Sequence, residues 1–361
     1  WMDQRLAAID IFYLRSTDNG TTWQPEVQLT TDPMDSQIPS LSVSGNNVYL
    51  AWDDNRHAPN KEIYFRRSTN AGANWSSEMR LTNDTMISND VSIASVGQNV
   101  HIAWVSGTGN SEIYYRRSTN GGVYWLTEQR LTNDPAISFY PCIAVSGQNI
   151  NLFWSDSRDG NPEIYFKRST DGGIVWSADS RLTNAVGNSL IPGAVAFGQL
   201  IGLVWSDFRT NFYKVFYKAS TNGGLNWSTD LMISPPENFG YANNSSIDIS
   251  DSSLHVVWED ARNGSPEIYY RKNILGTPVA VTPVSNEIPS SYSLSQNYPN
   301  PFNPVTNFEF RIADFGLVNV TIYDALGRAV ETLVNNELNP GTYKVNWDAS
   351  DDPAGVYFYR L

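Results

Sequence analysis

The chain has few of the features that mark disulfide-rich, membrane-spanning or nucleic-acid-binding proteins. Cys142 is the single cysteine among 361 residues, so no disulfide can form within the chain. No apolar run approaches the ~18 residues that a membrane-spanning helix needs. Acidic residues outnumber basic ones by 37 to 24, the net charge is −13, and no cluster of Lys or Arg stands out. These absences argue against a membrane span and against nucleic acid or anionic lipid as a partner.

Signals for metals and cofactors are equally sparse. His57, His101 and His255 lie far apart and have no Cys or His at ligand spacing, so no zinc site is predicted. The loop at 156–161 is rich in Asp and Asn, but it lacks the alternating oxygen ligands of a calcium loop. Ca²⁺ is thus an alternative without support, and we predict no metal site and no cofactor. Cys142 is interpreted as a small buried apolar residue.

One nine-residue phrase recurs five times and organises most of the sequence. Its copies end at Trp23, Trp75, Trp125, Trp176 and Trp227, at steps of 52, 50, 51 and 51 residues. A fixed period of this size indicates an array of identical supersecondary units. Because a repeated residue usually belongs to the scaffold, we expect an active site only where the repeat is broken.

Each copy contains four short stretches of strand-forming residues separated by Gly, Asn and Asp turns. In the copy at 38–84 we predict strands at 39–44, 48–52 and 62–67, and a fourth strand that Trp75 opens. A second Trp series ends each second strand and counts six units, at Trp1, Trp52, Trp104, Trp154, Trp205 and Trp258. Four strands in about 50 residues are typical of a β-propeller blade. The sequence therefore predicts an all-β protein with a six-bladed β-propeller, whose first blade is incomplete because the chain begins inside a repeat; further upstream sequence would raise the blade count.

The turn inside the repeated phrase has a local physical cause. An Asp or Asn side chain accepts hydrogen bonds from backbone N–H groups later in the turn, Gly supplies a positive φ, and Trp covers the hairpin. The positions are Asp18, Gly20 and Trp23; Asn70, Gly72 and Trp75; Asn120, Gly122 and Trp125; Asp171, Gly173 and Trp176; and Asn222, Gly224 and Trp227. These residues resemble the Asp-box (BNR) repeat of sialidases and of many unrelated propellers. The resemblance implies a scaffold role, because the Asp-boxes of that family lie away from the catalytic face.

The repeat stops after Asn273 and a different pattern follows. Residues 274–291 have the Pro-rich, small polar composition of a linker, and 292–361 alternate strands and turns in the manner of a small immunoglobulin-like β-sandwich. The run Asn-Tyr-Pro-Asn-Pro-Phe-Asn-Pro at 297–304, with Leu326-Gly327 and 355–361, resembles the C-terminal sorting domain of type IX secretion cargo. The resemblance implies a propeller domain (1–273) exported to the surface or exterior of a Gram-negative-type bacterium, with the type IX machinery as partner of 292–361. Members of that family usually continue into one more strand, so we expect this domain to be truncated at its last strand.

A propeller has one face built from the loops between strands 2 and 3 and between strands 4 and 1, and we expect function there. In five units the 2–3 loop carries an Asp and an Arg two residues apart: Asp3/Arg5, Asp54/Arg56, Asp156/Arg158, Asp207/Arg209 and Asp260/Arg262. A ring of guanidinium groups would suit carboxylate ligands such as sialic or uronic acids. The alternative, which the fivefold repetition favours, is an Asp–Arg pair that fixes the loop. The glutamates of Glu-Ile-Tyr (Glu62, Glu112, Glu163 and Glu267) are interpreted as strand-edge partners of those arginines.

The least repetitive stretch is 235–244, which contains Glu237 and Tyr241. An acid and a phenol in one loop make weak candidates for general acid–base catalysis. The favoured interpretation is a surface on which a sugar stacks against aromatic rings. The candidate ligand-binding residues are Arg56, Arg158, Arg209, Arg262, Phe208, Phe212, Tyr213 and Tyr241.

Together these patterns predict a secreted or cell-surface propeller whose role is non-catalytic binding or display, with glycans among the candidate ligands. The first alternative is a glycoside hydrolase of the exo-sialidase type, for which the resemblance implies three convergent arginines, a Tyr nucleophile beside a Glu, and an Asp. The Arg-Ile-Pro sequence of such enzymes does not occur in this chain. The second alternative is a structural surface protein.

Overall fold

The computed structural model describes residues 1–5, 8–18, 20–83, 85–235, 240–250, 253–272, 282–285, 289–314, 316–338, 340–349 and 352–361. Every regular element among these residues is a β-strand, which confirms the all-β prediction. The chain divides into two compact units. The first holds Trp1–Asn226, Met232–Ile247 and Val257–Tyr269, and the second holds Trp227–Leu231, Asp248–Val256 and Tyr270–Leu361. No helix in the described part of the chain is long and apolar enough to cross a membrane.

The repeats supply the first 22 strands. They are β1 (Met2–Asp3), β2 (Asp10–Tyr13), β3 (Val27–Gln28), β4 (Ser36–Ser44), β5 (Asn47–Asp54), β6 (Glu62–Ser68), β7 (Met79–Arg80), β8 (Ser88–Val96), β9 (Asn99–Ser106), β10 (Glu112–Ser118), β11 (Gln129–Arg130), β12 (Ser138–Ser146), β13 (Asn149–Asp156), β14 (Glu163–Ser169), β15 (Ser180–Arg181), β16 (Ser189–Phe197), β17 (Leu200–Asp207), β18 (Lys214–Ser220), β19 (Leu231–Met232), β20 (Ala242–Ser250), β21 (Ser253–Asp260) and β22 (Glu267–Lys272). The later strands are β23 (Thr282–Ser285), β24 (Ser293–Leu294), β25 (Val305–Ile312), β26 (Gly316–Tyr323), β27 (Ala329–Leu338), β28 (Gly341–Asp348) and β29 (Phe358–Arg360).

The repeat strands form six sheets, which we number repeat sheets 1 to 6 in chain order. Repeat sheets 2 to 5 each contain four strands in sequence order, from β4-β5-β6-β7 to β16-β17-β18-β19. Repeat sheet 1 holds β1-β2-β3 and repeat sheet 6 holds β20-β21-β22. The described pairings are antiparallel. The strand count per repeat thus agrees with the sequence pattern.

The second strand of each complete repeat sheet is buried on both faces. In β5, seven of the eight residues are buried, and the corresponding tryptophans Trp52, Trp104, Trp154 and Trp205 are at most 1% exposed. A strand covered on both sides needs apolar residues at nearly every position, which explains its continuous apolar run.

The first strands of repeat sheets 2 to 6 carry an irregularity at the same position. The register between β4 and β5 shifts between Gln37 and Ser40, and equivalent shifts occur in β8, β12 and β16. At these sites a non-glycine residue has a positive φ of 49–54°, namely Ile38, Asp90, Tyr140, Ile191 and Asn244. Each such strand packs against the first strand of the next sheet, β4 on β8, β8 on β12 and β12 on β16.

One strand assignment from the sequence is wrong. Trp75 does not open the fourth strand, because β7 contains only Met79 and Arg80. Trp75 lies in the preceding turn and packs edge-on against Tyr13 of repeat sheet 1, with 5.2 Å between ring centroids. The Trp is therefore held outside its own sheet by a contact with the sheet before it.

The second unit contains two further sheets, in the orders β23-β28-β25-β24 and β27-β26-β29. One hydrophobic core draws on both of them. Phe308, Phe310 and Trp347 come from the first sheet, and Val320 and Ile322 come from the second. Shared burial of this kind holds two antiparallel sheets face to face.

Candidate functional site

The loops between strands 2 and 3 and between strands 4 and 1 lie at one edge of the repeat sheets. The loops between strands 1 and 2 and between strands 3 and 4 lie at the opposite edge. Asn55 N in a 2–3 loop donates to Asp35 O in a 4–1 loop at 2.9 Å, and Phe208 N donates to Asn188 O at 2.9 Å. The turn between strands 3 and 4 lies at the other edge, where Ala71 N donates to the carbonyl of the β4–β5 hairpin at 2.8 Å. This arrangement confirms the prediction that the 2–3 and 4–1 loops share a face.

The turn between strands 3 and 4, which we call the repeat turn, has the predicted hydrogen bonds. Asn120 Oδ1 accepts from Tyr124 N at 2.9 Å, and Ser118 Oγ accepts from Gly122 N at 2.9 Å. The Asn or Asp of the other four turns accepts the equivalent bond from a backbone N–H at 2.8–3.0 Å. The glycines have φ between 78° and 84°. The turn chemistry inferred from the sequence is confirmed.

The repeat turn also packs against the preceding repeat sheet. Trp125 packs edge-on against Phe65 at 5.1 Å, and Trp176 packs in the same way against Tyr115 at 5.0 Å. A Cβ atom on Gly122 would collide with the Phe65 ring, so this glycine is needed for close approach as well as for its φ. These contacts give the repeat turn a structural role in which Gly and Trp act between sheets.

The loop arginines are held by the aspartates two residues before them. Arg56 donates from Nε and Nη2 to the two carboxylate oxygens of Asp54, at 2.8 and 2.7 Å. Asp54 is buried and also accepts from Trp52 Nε1 and Ser36 Oγ at 2.9 Å each. Burial would raise the pKa of Asp54, but the bonds from Arg56 and Trp52 outweigh it and hold the pKa below its usual value. Asp54 therefore ties strands 1 and 2 to the loop.

Each candidate arginine also stacks on an aromatic ring of its own repeat sheet. The guanidinium carbon lies 4.2 Å from the Tyr64 ring centroid for Arg56 and 4.4 Å from the Tyr165 centroid for Arg158. Arg209 over Phe216 and Arg262 over Tyr269 repeat this contact at 4.2 and 3.9 Å, and both pair with their loop aspartates. The geometry favours the interpretation in which the pair fixes the loop.

The Glu-Ile-Tyr glutamates were predicted to pair with the 2–3 loop arginines, and this prediction is wrong. Glu62 pairs with Arg80 of the fourth strand and accepts from Thr82 Oγ1 at 2.5 Å. Glu112 and Glu163 bind Arg130 and Arg181 in the same way. The third strand pairs directly with the fourth, so the fourth-strand arginine is the closer cation. Glu267, whose sheet has no fourth strand among the described residues, instead lies 3.5 Å from Tyr269 Oη.

The aromatic candidates lie on the face that the loop arginines also occupy, and the structure adds Tyr140 to them. Phe208 and Tyr213 are in contact, with ring centroids 5.0 Å apart, and Ala242 N beside Tyr241 donates to Tyr213 O at 2.8 Å. We name this group the aromatic face; its members are Tyr140, Phe208, Phe212, Tyr213 and Tyr241. Four of them, all but Tyr213, are 36–39% exposed. Phe208, Phe212, Tyr140 and Tyr241 are thus partly open to solvent, and the rings of Phe208 and Tyr213 are in direct contact.

Tyr140 is the member that the sequence did not reveal. It has a φ of 52° at the first-strand irregularity, and its ring is 39% exposed. Burial is the largest cause of its raised pKa, and Asp90 and Tyr213 raise the pKa of Tyr140 further. The only sequence signal was a tyrosine at a position where other repeats carry Ile, Asp or Asn.

Tyr241 has an acidic partner, but that partner comes from strand β21 and not from the loop of Tyr241 itself. Its Oη donates to Glu259 Oε1 at 3.0 Å, and Asn244 Nδ2 donates to Glu259 Oε2 at 3.1 Å. This hydrogen bond raises the pKa of Tyr241. Glu237, the acid named from the sequence, lies outside the described residues. Glu259 escaped notice because it sits between Trp258 and Asp260, inside a repeated motif.

A buried acid lies near the same face in repeat sheet 2. Asp53 is fully buried, accepts from Lys61 Nζ at 2.8 Å through Oδ2, and has no hydrogen bond to Oδ1 among the described residues. Lys61 Nζ also donates to Gln37 Oε1 at 2.8 Å. Burial raises the pKa of Asp53 to about 6 against the influence of Lys61, and Asp90 contributes to the rise. Within the described ranges, no group of three or more His, Cys, Asp and Glu side chains could hold a metal ion.

The C-terminal segment matches a known family. Residues 296–361 match the secretion system C-terminal sorting domain, so the recognition made from 297–304 is confirmed. The protein is therefore secreted or displayed at the outer surface, and its sorting domain links it to the type IX secretion machinery. Among curated proteins, none matches the chain.

Solved structures resemble the chain in fold. The sialidase of Trypanosoma rangeli is 14% identical with a TM-score of 0.54, covering 74% of this chain and 50% of its own. The same sialidase with the inhibitor DANA is 13% identical with a TM-score of 0.52, covering 91% and 66%. A protein of unknown function from Dyadobacter fermentans DSM 18053 is 11% identical with a TM-score of 0.52, covering 87% and 94%. The chain thus spans half to two thirds of the length of the sialidases it matches, and at these identities the likeness establishes a propeller-like all-β fold alone.

Proposed function

We propose that the protein is an exported surface protein that binds glycans, without turnover, on the aromatic face. The observation that carries this proposal is the set of partly exposed rings gathered from three different repeat sheets, of which Phe208 and Tyr213 are in direct contact. Aromatic rings stack on the apolar C–H faces of sugars, while neighbouring amide and carboxylate groups bind hydroxyls. Asn244 supplies an amide and Glu259 supplies a carboxylate beside Tyr241, and these two side chains are hydrogen-bonded to each other.

The proposal includes an architecture that is finer than the fold likeness. The six repeat sheets are the blades of a six-bladed propeller with an incomplete first blade, the repeat turns are its Asp-boxes, and the propeller domain covers 1–273. Residues 292–361 form an immunoglobulin-like sandwich. The linker predicted at 274–291 contains β23 (Thr282–Ser285), which pairs with β28, and its residues 274–281 and 286–288 lie outside the described residues. The repeated hydrogen bonds of the five repeat turns and the shared core of the two C-terminal sheets support this assignment.

Glycan binding is tested with matched tyrosine variants. Tyr213→Ala removes a ring from the aromatic face, whereas Tyr124→Ala removes a ring that is 66% exposed in a repeat turn at the opposite edge. We expect the protein to be retained on a panel of immobilised oligosaccharides. Tyr213→Ala weakens that retention about tenfold, since stacked rings contribute ~1 kcal/mol or more, and Tyr124→Ala leaves it unchanged. Equal loss in both variants would show that the glycan is not bound at the aromatic face, and no retention of the unaltered protein would reject binding and favour the structural surface protein.

Glycoside hydrolysis is the second candidate, and the Tyr241–Glu259 hydrogen bond at 3.0 Å favours it. A phenol beside a carboxylate can lose its proton to that carboxylate while it attacks a sugar carbon. The candidate is placed second because the four loop arginines it would use are engaged by aspartates.

Hydrolysis is tested with fluorogenic glycosides, including a sialoside. Turnover that is abolished by Tyr241→Phe and retained in Tyr124→Phe would establish the enzyme and contradict a purely binding role. Absence of turnover together with glycan retention supports the binding proposal.

A further inference from the structure

We infer that the sugar bound by the aromatic face is uncharged, and that the loop arginines take no part in recognising a carboxylate. The inference rests on the proposed binding function and names its ligand class. It follows from the way in which the structure already uses each guanidinium group and from the charges around it.

The donors of Arg158 are committed to two carboxylates. Nε and Nη2 bind the two oxygens of Asp156 at 2.8 and 2.7 Å, and Nη1 binds Asp179 at 2.9 Å. One face of the guanidinium is covered by the Tyr165 ring. A ligand carboxylate would therefore have to displace one of these partners, and a displaced Asp156, which is fully buried, would be left as an unpaired charge.

The local charge around these arginines is negative. Asp134 lies 3.9 Å from Arg158, so three carboxylates surround two cations, Arg158 and the Lys167 that pairs with Asp179 at 2.8 Å. Arg56 also has three carboxylates around it, with Asp54, Glu78 and Asp32 at 2.7, 2.6 and 3.8 Å. The excess negative charge repels an anionic sugar before any contact is made.

The remaining two arginines are engaged in the same manner. Arg209 Nη2 binds Asp207 at 2.7 Å and Arg262 binds Asp260, and both aspartates are buried. Each guanidinium stacks on a ring of its own sheet. In all four candidate arginines Nη2 therefore already binds a buried loop aspartate, and a ligand carboxylate would have to compete with it for the guanidinium group.

The charged groups next to the aromatic face are also unsuited to anions. Glu259 accepts a hydrogen bond from Tyr241 Oη at 3.0 Å. The nearby cation Lys61 is bonded to Asp53 and Gln37. Acidic groups accept hydrogen bonds from sugar hydroxyls, so they favour a neutral ligand and disfavour an acidic one.

The test compares neutral and acid-capped forms of the same glycan with the full chain. The pairs are lactose with 3′-sialyllactose and arabinan with polygalacturonate, titrated at about 50 mM and about 500 mM NaCl so that screening differs strongly. We expect at least one neutral member to bind ten times or more tightly than its acidic counterpart, with a Kd that changes less than twofold with salt.

Each other outcome overturns a different statement. Tighter binding of an acidic member, weakened severalfold by salt, overturns the inference and leaves the proposed glycan binding intact. Failure of every glycan, extended to the whole oligosaccharide panel, overturns the proposed function and with it the inference. Glu78→Gln serves as an internal check because it removes the carboxylate that Arg56 Nη1 binds. We expect the affinity for the neutral glycan to be unchanged in this variant.

Discussion

The glycine at the end of each repeat turn serves two physical requirements that differ between copies. Gly20 and Gly173 have the same φ of 84°. Around Gly20 a Cβ atom would meet nothing within 4 Å, whereas at Gly173 it would collide with the Tyr115 side chain. Sequence reasoning identified the first requirement from the turn type, but the second depends on a neighbouring sheet about 50 residues away.

Replacing each of these glycines by alanine separates the two requirements. Gly20→Ala is expected to destabilise the protein by about 1 kcal/mol, the cost of a left-handed backbone conformation for an L-residue. Gly173→Ala is expected to cost about 1–3 kcal/mol more, because Tyr115 is buried and must move. Differential scanning calorimetry measures both, and equal losses would contradict the inter-sheet role of the repeat turn.

Asp53 gives the stability a specific pH dependence. Its pKa is raised from 3.8 to about 6 in the folded protein. Between these values the unfolded chain has lost the proton and the folded protein retains it, so the contribution of Asp53 to stability falls as pH rises from about 4 to 6.

Asp53→Asn removes this titration. Relative to the unaltered protein, the variant is expected to gain about 2–3 kcal/mol between pH 4 and pH 7, because each pKa unit corresponds to 1.36 kcal/mol. Thermal unfolding across this range checks the gain, with Asp314→Asn, an exposed carboxyl in the second unit, as control. A constant difference between Asp53→Asn and the parent at all pH values would show that Asp53 titrates normally.

At the scale of strands and sheets, repeat sheet 3 is the one repeat sheet whose 2–3 loop lacks the Asp–Arg pair. Ser106 and Thr108 stand where other sheets have Asp and Arg. Trp104 Nε1, the equivalent of the indole that binds Asp54, has no hydrogen-bond partner among the described residues. Repeat sheet 3 therefore forms without the Asp–Arg pair, which agrees with a role of the pair in holding the loop.

Grafting the pair into repeat sheet 3 tests its structural role. Ser106→Asp alone places a carboxylate at a site 2% exposed and is expected to destabilise by about 1–3 kcal/mol. Adding Thr108→Arg supplies the counter-ion, and the double variant is expected to be at least as stable as the parent. A double-mutant cycle on denaturant midpoints measures the coupling, and strictly additive effects would contradict the account.

Strand number, strand order and turn chemistry could be predicted because each is set within one repeat. The period places Ser68, Asn70 and Gly72 in a turn whatever surrounds it. The contacts of Trp75 with Tyr13, and of Glu62 with Arg80, could not be predicted, because they depend on side-chain packing between strands and sheets. The exposure of Tyr140 could not be predicted either, because it depends on how strand β12 packs between the first strands of its neighbouring sheets.

At the scale of the whole molecule, the structural residues and the proposed binding residues lie at opposite edges of the repeat sheets. The repeat turns occupy one edge and bond each sheet to its predecessor, so similarity among copies is required there. The opposite edge carries the aromatic face, where Phe208, Phe212 and Tyr241 depart from the repeat. The sorting domain at 296–361 brings this protein to the cell exterior, where glycans are available as ligands.

Hydrogen exchange with and without a bound glycan shows whether the aromatic face is the binding surface. With the best neutral glycan at saturation, we expect slower amide exchange in segments 138–142, 207–213 and 240–244, which form the aromatic face. The repeat turns at 118–124 and 169–175 should exchange at unchanged rates. Protection confined to the repeat turns, or saturating binding without protection of the aromatic face, would contradict the account.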